Sequence, residues 1–149
     1  MTSTTIAVGA ALLTLVVNAL AGAFAAWRWW IVEPHDAVWP LLRAGQAAAG
    51  LWALVAGALA ISGYEPHDDL YWLYALLPVV VGFIAEQLRV ASAEQVLEQR
   101  GLEDAQAVGT LPEAGQRSVV LQIVRREMGV MALAALVVAF LALRGALIA

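Results

Sequence analysis

The chain contains no cysteine and no lysine, and only 13% of its 149 residues are charged. Without cysteine there are no disulfides, no thiolate metal sites, no iron–sulfur ligation and no thiol nucleophile. An average soluble domain carries about a quarter charged residues, and this chain has about half of that. Its hydrophobic share is 62% and its mean hydropathy +0.80. So few charges leave no way to cover that much apolar surface in water, and the composition is that of an integral membrane protein. A net charge of −4 and a pI of about 5.0 exclude a nucleic-acid binder, which needs a basic footprint. The length fits one domain, residues 1–149.

Four uncharged runs locate the membrane spans. No charge precedes Arg28; Ala44 to Tyr64, Leu70 to Ala85 and Met128 to Leu143 are likewise free of charge. A helix rises about 1.5 Å per residue and the hydrocarbon layer is about 30 Å thick. The first two runs cross it unaided. The last two reach only about 24 Å, so their flanking charges sit at the interface. The expectation is an all-α integral membrane protein, a four-transmembrane-helix bundle with spans near 5–30, 37–62, 69–92 and 118–147. The first span resembles a signal peptide in its small residues, Ala21-Gly22-Ala23 and Phe24-Ala25-Ala26. It lacks the basic leading segment of one, and its apolar run is too long; it reads as an uncleaved anchor.

Arginine placement orients the bundle. Arg28, Arg43, Arg89, Arg100, Arg117, Arg125 and Arg126 fall on the side of the first and third connections, and only Arg144 lies near the other. The positive-inside rule then places both termini outside a cell (inner or plasma) membrane and the connection 93–117 in the cytoplasm. Trp27, Trp29, Trp30 and Trp39 mark one interface; Tyr64, Tyr71, Trp72 and Tyr74 mark the other. Helical patterning continues past the third span to about Arg100, with Gly101 as its stop. Gly109 and Pro112 break the chain, and Pro112-Glu113 suits the first turn of the last helix. Helices three and four therefore extend into a cytoplasmic hairpin.

The two histidines lie in a repeated tetrapeptide, Glu33-Pro34-His35-Asp36 and Glu65-Pro66-His67-Asp68. One complete span separates the copies, so they stand on opposite membrane faces, about 30 Å apart, and cannot share a metal or haem. Helix capping by Asp36 and Asp68 is the simpler reading. No metal, no cofactor and no catalytic residue is expected, because neither histidine has a nucleophile motif beside it.

Arg43, Gln46, Glu86, Gln87, Arg89, Arg125, Arg126 and Glu127 all fall at the cytoplasmic ends of helices two to four. Glu86 and Arg89 share one helix face, and Arg43 reaches Glu86 across helices. Two readings follow: structural ion pairing at the interface, or a polar pocket facing the cytoplasm. At mid-depth stand Asn18 and, one turn earlier, Thr14; such groups usually bond a neighbouring helix. Pro78 kinks the third helix or is absorbed by local 3-10 geometry. Small-residue stripes that permit close helix approach are Ala19-Ala23-Ala26, Ala49-Ala53-Gly57 and Ala132-Ala135-Ala139-Ala142, although with 31 alanines in the chain the signal is dilute.

Known four-span families are excluded by what is missing. Small multidrug exporters carry a glutamate in the first helix, four-helix cytochromes b carry histidines on their helices, and vitamin K epoxide reductases need cysteines. The chain has the general look of small bacterial four-span proteins, which implies no activity. The functional expectation is a non-catalytic membrane subunit or assembly scaffold, contacting the lipid bilayer and docking a protein partner or a second copy through the cytoplasmic hairpin. The alternative is a small-solute or ion transporter with the polar cluster at its cytoplasmic mouth.

Overall fold

The computed structural model describes residues 2–149, and its regular elements are helical: α1 (Ser3–Trp30), α2 (Val38–Ile61), α3 (Leu70–Gln99), a short 3-10 helix (Gln106–Thr110) and α4 (Glu113–Ile148). All four α-helices are long and apolar enough to cross a membrane. They run up, down, up, down around a ring in chain order. α4 packs extensively on both α1 and α3, and the α2–α3 seam is the loosest of the four.

Local chemistry sets each terminus. The Thr2 hydroxyl accepts the Thr5 N–H at 3.2 Å and opens α1. Three helices close with the same pair of backbone bonds, in which two successive N–H groups reach back to otherwise unpaired carbonyls. After α2 and α3 the residue in the left-handed conformation is glycine, Gly63 at φ 77° and Gly101 at φ 66°. After α1 it is Val32 at φ 57°, where a β-branched side chain costs about 1–3 kcal/mol. The turn holds because Glu33 N–H bonds the Arg28 carbonyl while Arg28 Nε donates to the Glu33 carbonyl at 2.7 Å.

The expected caps divide. Asp68 Oδ1 accepts the Leu70 N–H at 2.9 Å, at the start of α3. Before α2, Asp36 is exposed and makes no cap; the His35 ring takes the role, its Nδ1 accepting the Ala37 N–H at 3.0 Å. Gly109 does not break the chain either. It lies within the 3-10 helix, whose start is held by Asp104 Oδ1 on the Ala107 N–H. α3 runs unbroken through Pro78.

Size sorting is inverted relative to a soluble bundle. The interior is built largely of alanine and glycine, with Ala7, Ala11, Ala25, Ala75 and Ala142 fully buried, whereas Leu20, Leu54, Ile61, Phe83 and Leu147 point outward. Small residues let backbones approach closely, and large apolar ones form an outer surface suited to lipid. Of the expected stripes, Ala132-Ala135-Ala139-Ala142 is buried throughout. The α1 stripe is not the packing face: Ala23 is exposed, and the buried face is Ala7, Ala11, Thr14, Asn18, Ala21, Gly22 and Ala25. On α2, Ala49 is buried but Gly57 is exposed with nothing near its Cα hydrogens; Trp52 and Ala56 take the interior. Tyr71, expected in an interfacial belt, is completely buried at one end of the bundle.

Candidate functional site

At the end of the bundle where α2 begins and the arginines gather, a chain of charges centred on one carboxylate links three helices. Glu86 on α3 accepts from two residues of α2: its Oε1 takes Arg43 Nη1 and the Gln46 Nε2 at 2.8 Å. Its Oε2 takes Arg89 Nε at 3.1 Å and a second, longer contact from Arg43 Nη2 at 3.4 Å. Arg43 Nη1 also donates to Gln46 Oε1 at 2.6 Å. Arg89 then spans to α4, its Nη1 lying 3.6 Å from Glu127 Oε1, with its guanidinium 5.9 Å from the Trp39 ring centroid. Two arginines and two glutamates make a neutral chain. Both oxygens of Glu86 are held by donors from α2 and α3, whereas Glu127 is approached by Arg89 alone, at 3.6 Å, and keeps free lone pairs. The arrangement ties helices together.

The remaining members of the expected constellation lie elsewhere. Arg125 sits over the Trp29 ring at 5.5 Å, Arg126 reaches Gln99 Oε1 at 3.3 Å, and Gln87 is exposed. They lie one or two residues along from Glu86 and Glu127, on other faces of α3 and α4, which sequence spacing alone does not separate.

Just inside the cluster is a cavity of about 20 Å³, room for about one water molecule. Gln46, Pro78, Gly82, Ala135 and Asn18 line it. Asn18 Nδ2 donates to the carbonyl of Thr14 at 3.0 Å and, across to α2, to that of Gly45 at 3.0 Å. The Thr14 hydroxyl is shared between the carbonyls of Ala10 and Ala48, at 3.0 and 3.1 Å. A glycine is required at 45, since a Cβ there falls 2.6 Å from Asn18 Oδ1. Replacing Asn18 with leucine removes the α1–α2 bond and is expected to cost about 0.6–1.7 kcal/mol, the range of interhelical bonds in bilayers. A reversible denaturant titration in detergent measures it, and an unchanged midpoint would show that the bond contributes nothing.

Toward the opposite end the interior closes. Trp52 Nε1 donates to the Tyr71 hydroxyl at 3.3 Å, and Tyr71 is edge-on to Tyr64 and Trp72, with centroids 6.2 and 5.2 Å away. Gly145 lies directly beneath the Trp52 ring. Among the described residues, Thr14 and Asn18 are the buried polar side chains apart from this aromatic pair, and no three His, Asp or Glu side chains gather as metal ligands. His35 and His67 remain at opposite ends, each exposed. No periodicity marks the contact of Trp52 with Gly145, because a tryptophan in an apolar span is equally suited to face lipid. No protein-family model matches the chain, and neither a curated protein nor a solved structure matches it significantly.

Proposed function

We propose that the chain spans the cell membrane four times with both termini outside, and that it is a non-catalytic membrane subunit or assembly scaffold. Its α3–α4 hairpin extends into the cytoplasm, where it docks a protein partner or a second copy. The outward-facing leucines, valines and phenylalanines over an alanine interior support the membrane placement. Seven of the eight arginines at one end support the orientation. The observation that carries the function is how the interior polar groups are used. Thr14 and Asn18 bond backbone carbonyls of α1 and α2, Glu86 is held by Arg43, Gln46 and Arg89, and the far half is closed by Trp52 and Tyr71. A conduction path needs polar groups continuing through mid-depth.

The cysteine-free chain makes the test clean. Ser3→Cys is expected to react with an impermeant maleimide in intact cells and Gly109→Cys only after lysis; labelling of residue 109 from outside overturns the orientation. Reconstituted protein is expected to pass no ions or small solutes above protein-free vesicles. A photo-crosslinker at Gln106 is expected to capture one discrete protein band or a dimer. A flux that Arg43→Gln and Glu86→Gln both abolish in folded protein overturns the scaffold reading in favour of a transporter.

A further inference from the structure

On the outer face of the α1–α4 seam a polar pocket and an apolar groove lie end to end. The pocket is lined by Val32, Arg100, Ser118, Leu121, Gln122 and Arg125. Arg100 donates through Nη2 to Ser118 Oγ at 3.1 Å and to Gln122 Oε1 at 2.8 Å, and through Nε to the same Oε1 at 3.2 Å. Those bonds use up the acceptor of Gln122 and a lone pair of Ser118. What is left unpaired is mostly donors: the Ser118 hydroxyl hydrogen, the Gln122 amide N–H groups, and guanidinium N–H groups of Arg100 and Arg125, beside one remaining lone pair of Ser118 Oγ. No carboxylate lines the pocket. Among the described residues Arg100 and Arg125, like Arg126 and Arg144, have no acidic partner, whereas Arg28, Arg43, Arg89 and Arg117 do. Two cationic forks among neutral donors suit a phosphate. One wall of the pocket is Val32, the residue held in the left-handed conformation where the other two helices use glycine.

The groove begins where the pocket ends. Trp29, beneath the Arg125 guanidinium, lines it together with Ala26, Gly129, Ala132, Leu133 and Leu136. Arg125, Gly129, Ala132 and Leu136 follow one stripe of α4, Trp29 and Ala26 lie one turn apart on α1, and Val32 follows in the turn after that helix. Small residues form its floor and leucines its sides.

The geometry points to a seat for one anionic phospholipid, with the phosphodiester between Arg125 and Arg100 and an acyl chain in the groove. This rests on the membrane placement proposed above. In that placement the uncharged run from Met128 fills about 24 of the roughly 30 Å of hydrocarbon, so the edge lies about 3 Å beyond Met128 and Arg125, three residues out, stands about 1.5 Å past it with a side chain that points outward toward the helix N-terminus. The headgroup layer is about 6 Å thick on each side, so the guanidinium is at phosphate depth. A glycerol headgroup supplies acceptor oxygens to Ser118 and Gln122. A choline headgroup instead brings a fixed cation against two guanidiniums, and is disfavoured. The chemistry selected is therefore phosphatidylglycerol over phosphatidylcholine, in the leaflet on the arginine side.

The test uses the full chain reconstituted into phosphatidylcholine vesicles with and without phosphatidylglycerol, floated, then released into mild detergent for native mass spectrometry of retained lipid. Wild type is expected to keep one phosphatidylglycerol in preference to phosphatidylcholine. Arg100→Gln and Arg125→Gln should each lower that preference about fivefold. Arg125→Lys should retain more of it than Arg125→Gln, and Arg117→Gln, an equal loss of charge at a paired site, should leave it unchanged. Equal retention of both lipids, or an equal loss in Arg117→Gln, overturns the seat. Glycerol 3-phosphate titrated into detergent-solubilised protein separates the sources: competition by the free phosphate ester at the concentration of the lipid would assign the pocket to a soluble ligand. A dimer that forms along this seam and excludes lipid also overturns it. Protein that fails to float removes the membrane placement itself, whereas protein that floats without lipid preference removes only the seat.

Discussion

Gly145→Ala is expected to destabilise the bundle by about 1–3 kcal/mol, the range for one methyl forced into a filled core. A Cβ built at position 145 of α4 lands 2.5 Å from both Cζ2 and Cη2 of Trp52 on α2. The indole has little freedom to retreat. It is fully buried, its N–H is bonded to Tyr71, and the Tyr71 ring stands edge-on with a centroid separation of 6.3 Å. Relief must come from α4 moving away, which loosens Ala142 and the contacts of that whole end. The partner experiment shrinks the tryptophan: Trp52→Phe removes the atoms that clash. The double variant Trp52→Phe/Gly145→Ala should therefore be more stable than the two single losses added together, a coupling readable by a double-mutant cycle. Gly57→Ala is the control, because its site is open and alanine is the better helix former. Equal unfolding midpoints for Gly145→Ala and Gly57→Ala would show that the packing of Trp52 against Gly145 does not limit stability.

The same pair shows where inference from residues stops. The four helices follow from uncharged runs, because an uncharged apolar segment has one stable form in lipid, and their ends fall within a few residues of the expected ones, including the continuation of α3 to Gln99 before Gly101 and the start of α4 at Glu113. Which side of each helix faces inward was harder to read. Alanine fills both faces of α1, so the stripe Ala19-Ala23-Ala26 looked as suitable as the buried one. The residues that do distinguish the faces are Thr14 and Asn18: polar groups must find partners inside, and stepping three or four positions either way from them gives Ala7, Ala11, Ala21 and Ala25, all buried. Trp52 is the opposite case. Nothing local distinguishes an inward tryptophan from a lipid-facing one; the choice depends on Gly145, more than ninety positions away in the chain. The charged constellation divides for a similar reason. Spacing puts Glu86 beside Arg89, and depth puts Arg43 opposite them, but which arginines of α4 join them depends on the rotation of that helix. It turns Glu127 toward Arg89 and carries Arg125 round to Trp29.

Glu86→Gln is expected to cost about 1–3 kcal/mol, and more than any other single neutralisation in the cluster. A hydrogen bond to a charged group is worth about 1.5–3 kcal/mol, and here three donors converge on one carboxylate that is only 26% exposed. The glutamine keeps one acceptor but turns an amide N–H₂ toward guanidiniums. The loss is not shared equally. Arg89 retains Glu127, and Arg43, with a side chain 53% exposed, turns back to solvent. Gln46 keeps its bond to Arg43 but loses its tie to α3. The penalty therefore falls on the α2–α3 seam, the loosest in the bundle, and that seam should open first, seen as faster labelling of a cysteine at Gly50 or Gly82. Arg43→Gln should cost less, because Gln46 and Arg89 still hold Glu86 in place. Neutralising the Glu113–Arg117 pair, whose side chains are 90% and 81% exposed, should change the midpoint by less than about 0.5 kcal/mol. Unfolding in detergent at low and high salt gives the measure, with the cycle Arg43→Gln/Glu86→Gln isolating the pair. A coupling indistinguishable from that of the exposed Glu113–Arg117 pair would mean that the ion network does not hold α2 to α3, and that packing alone keeps the seam closed.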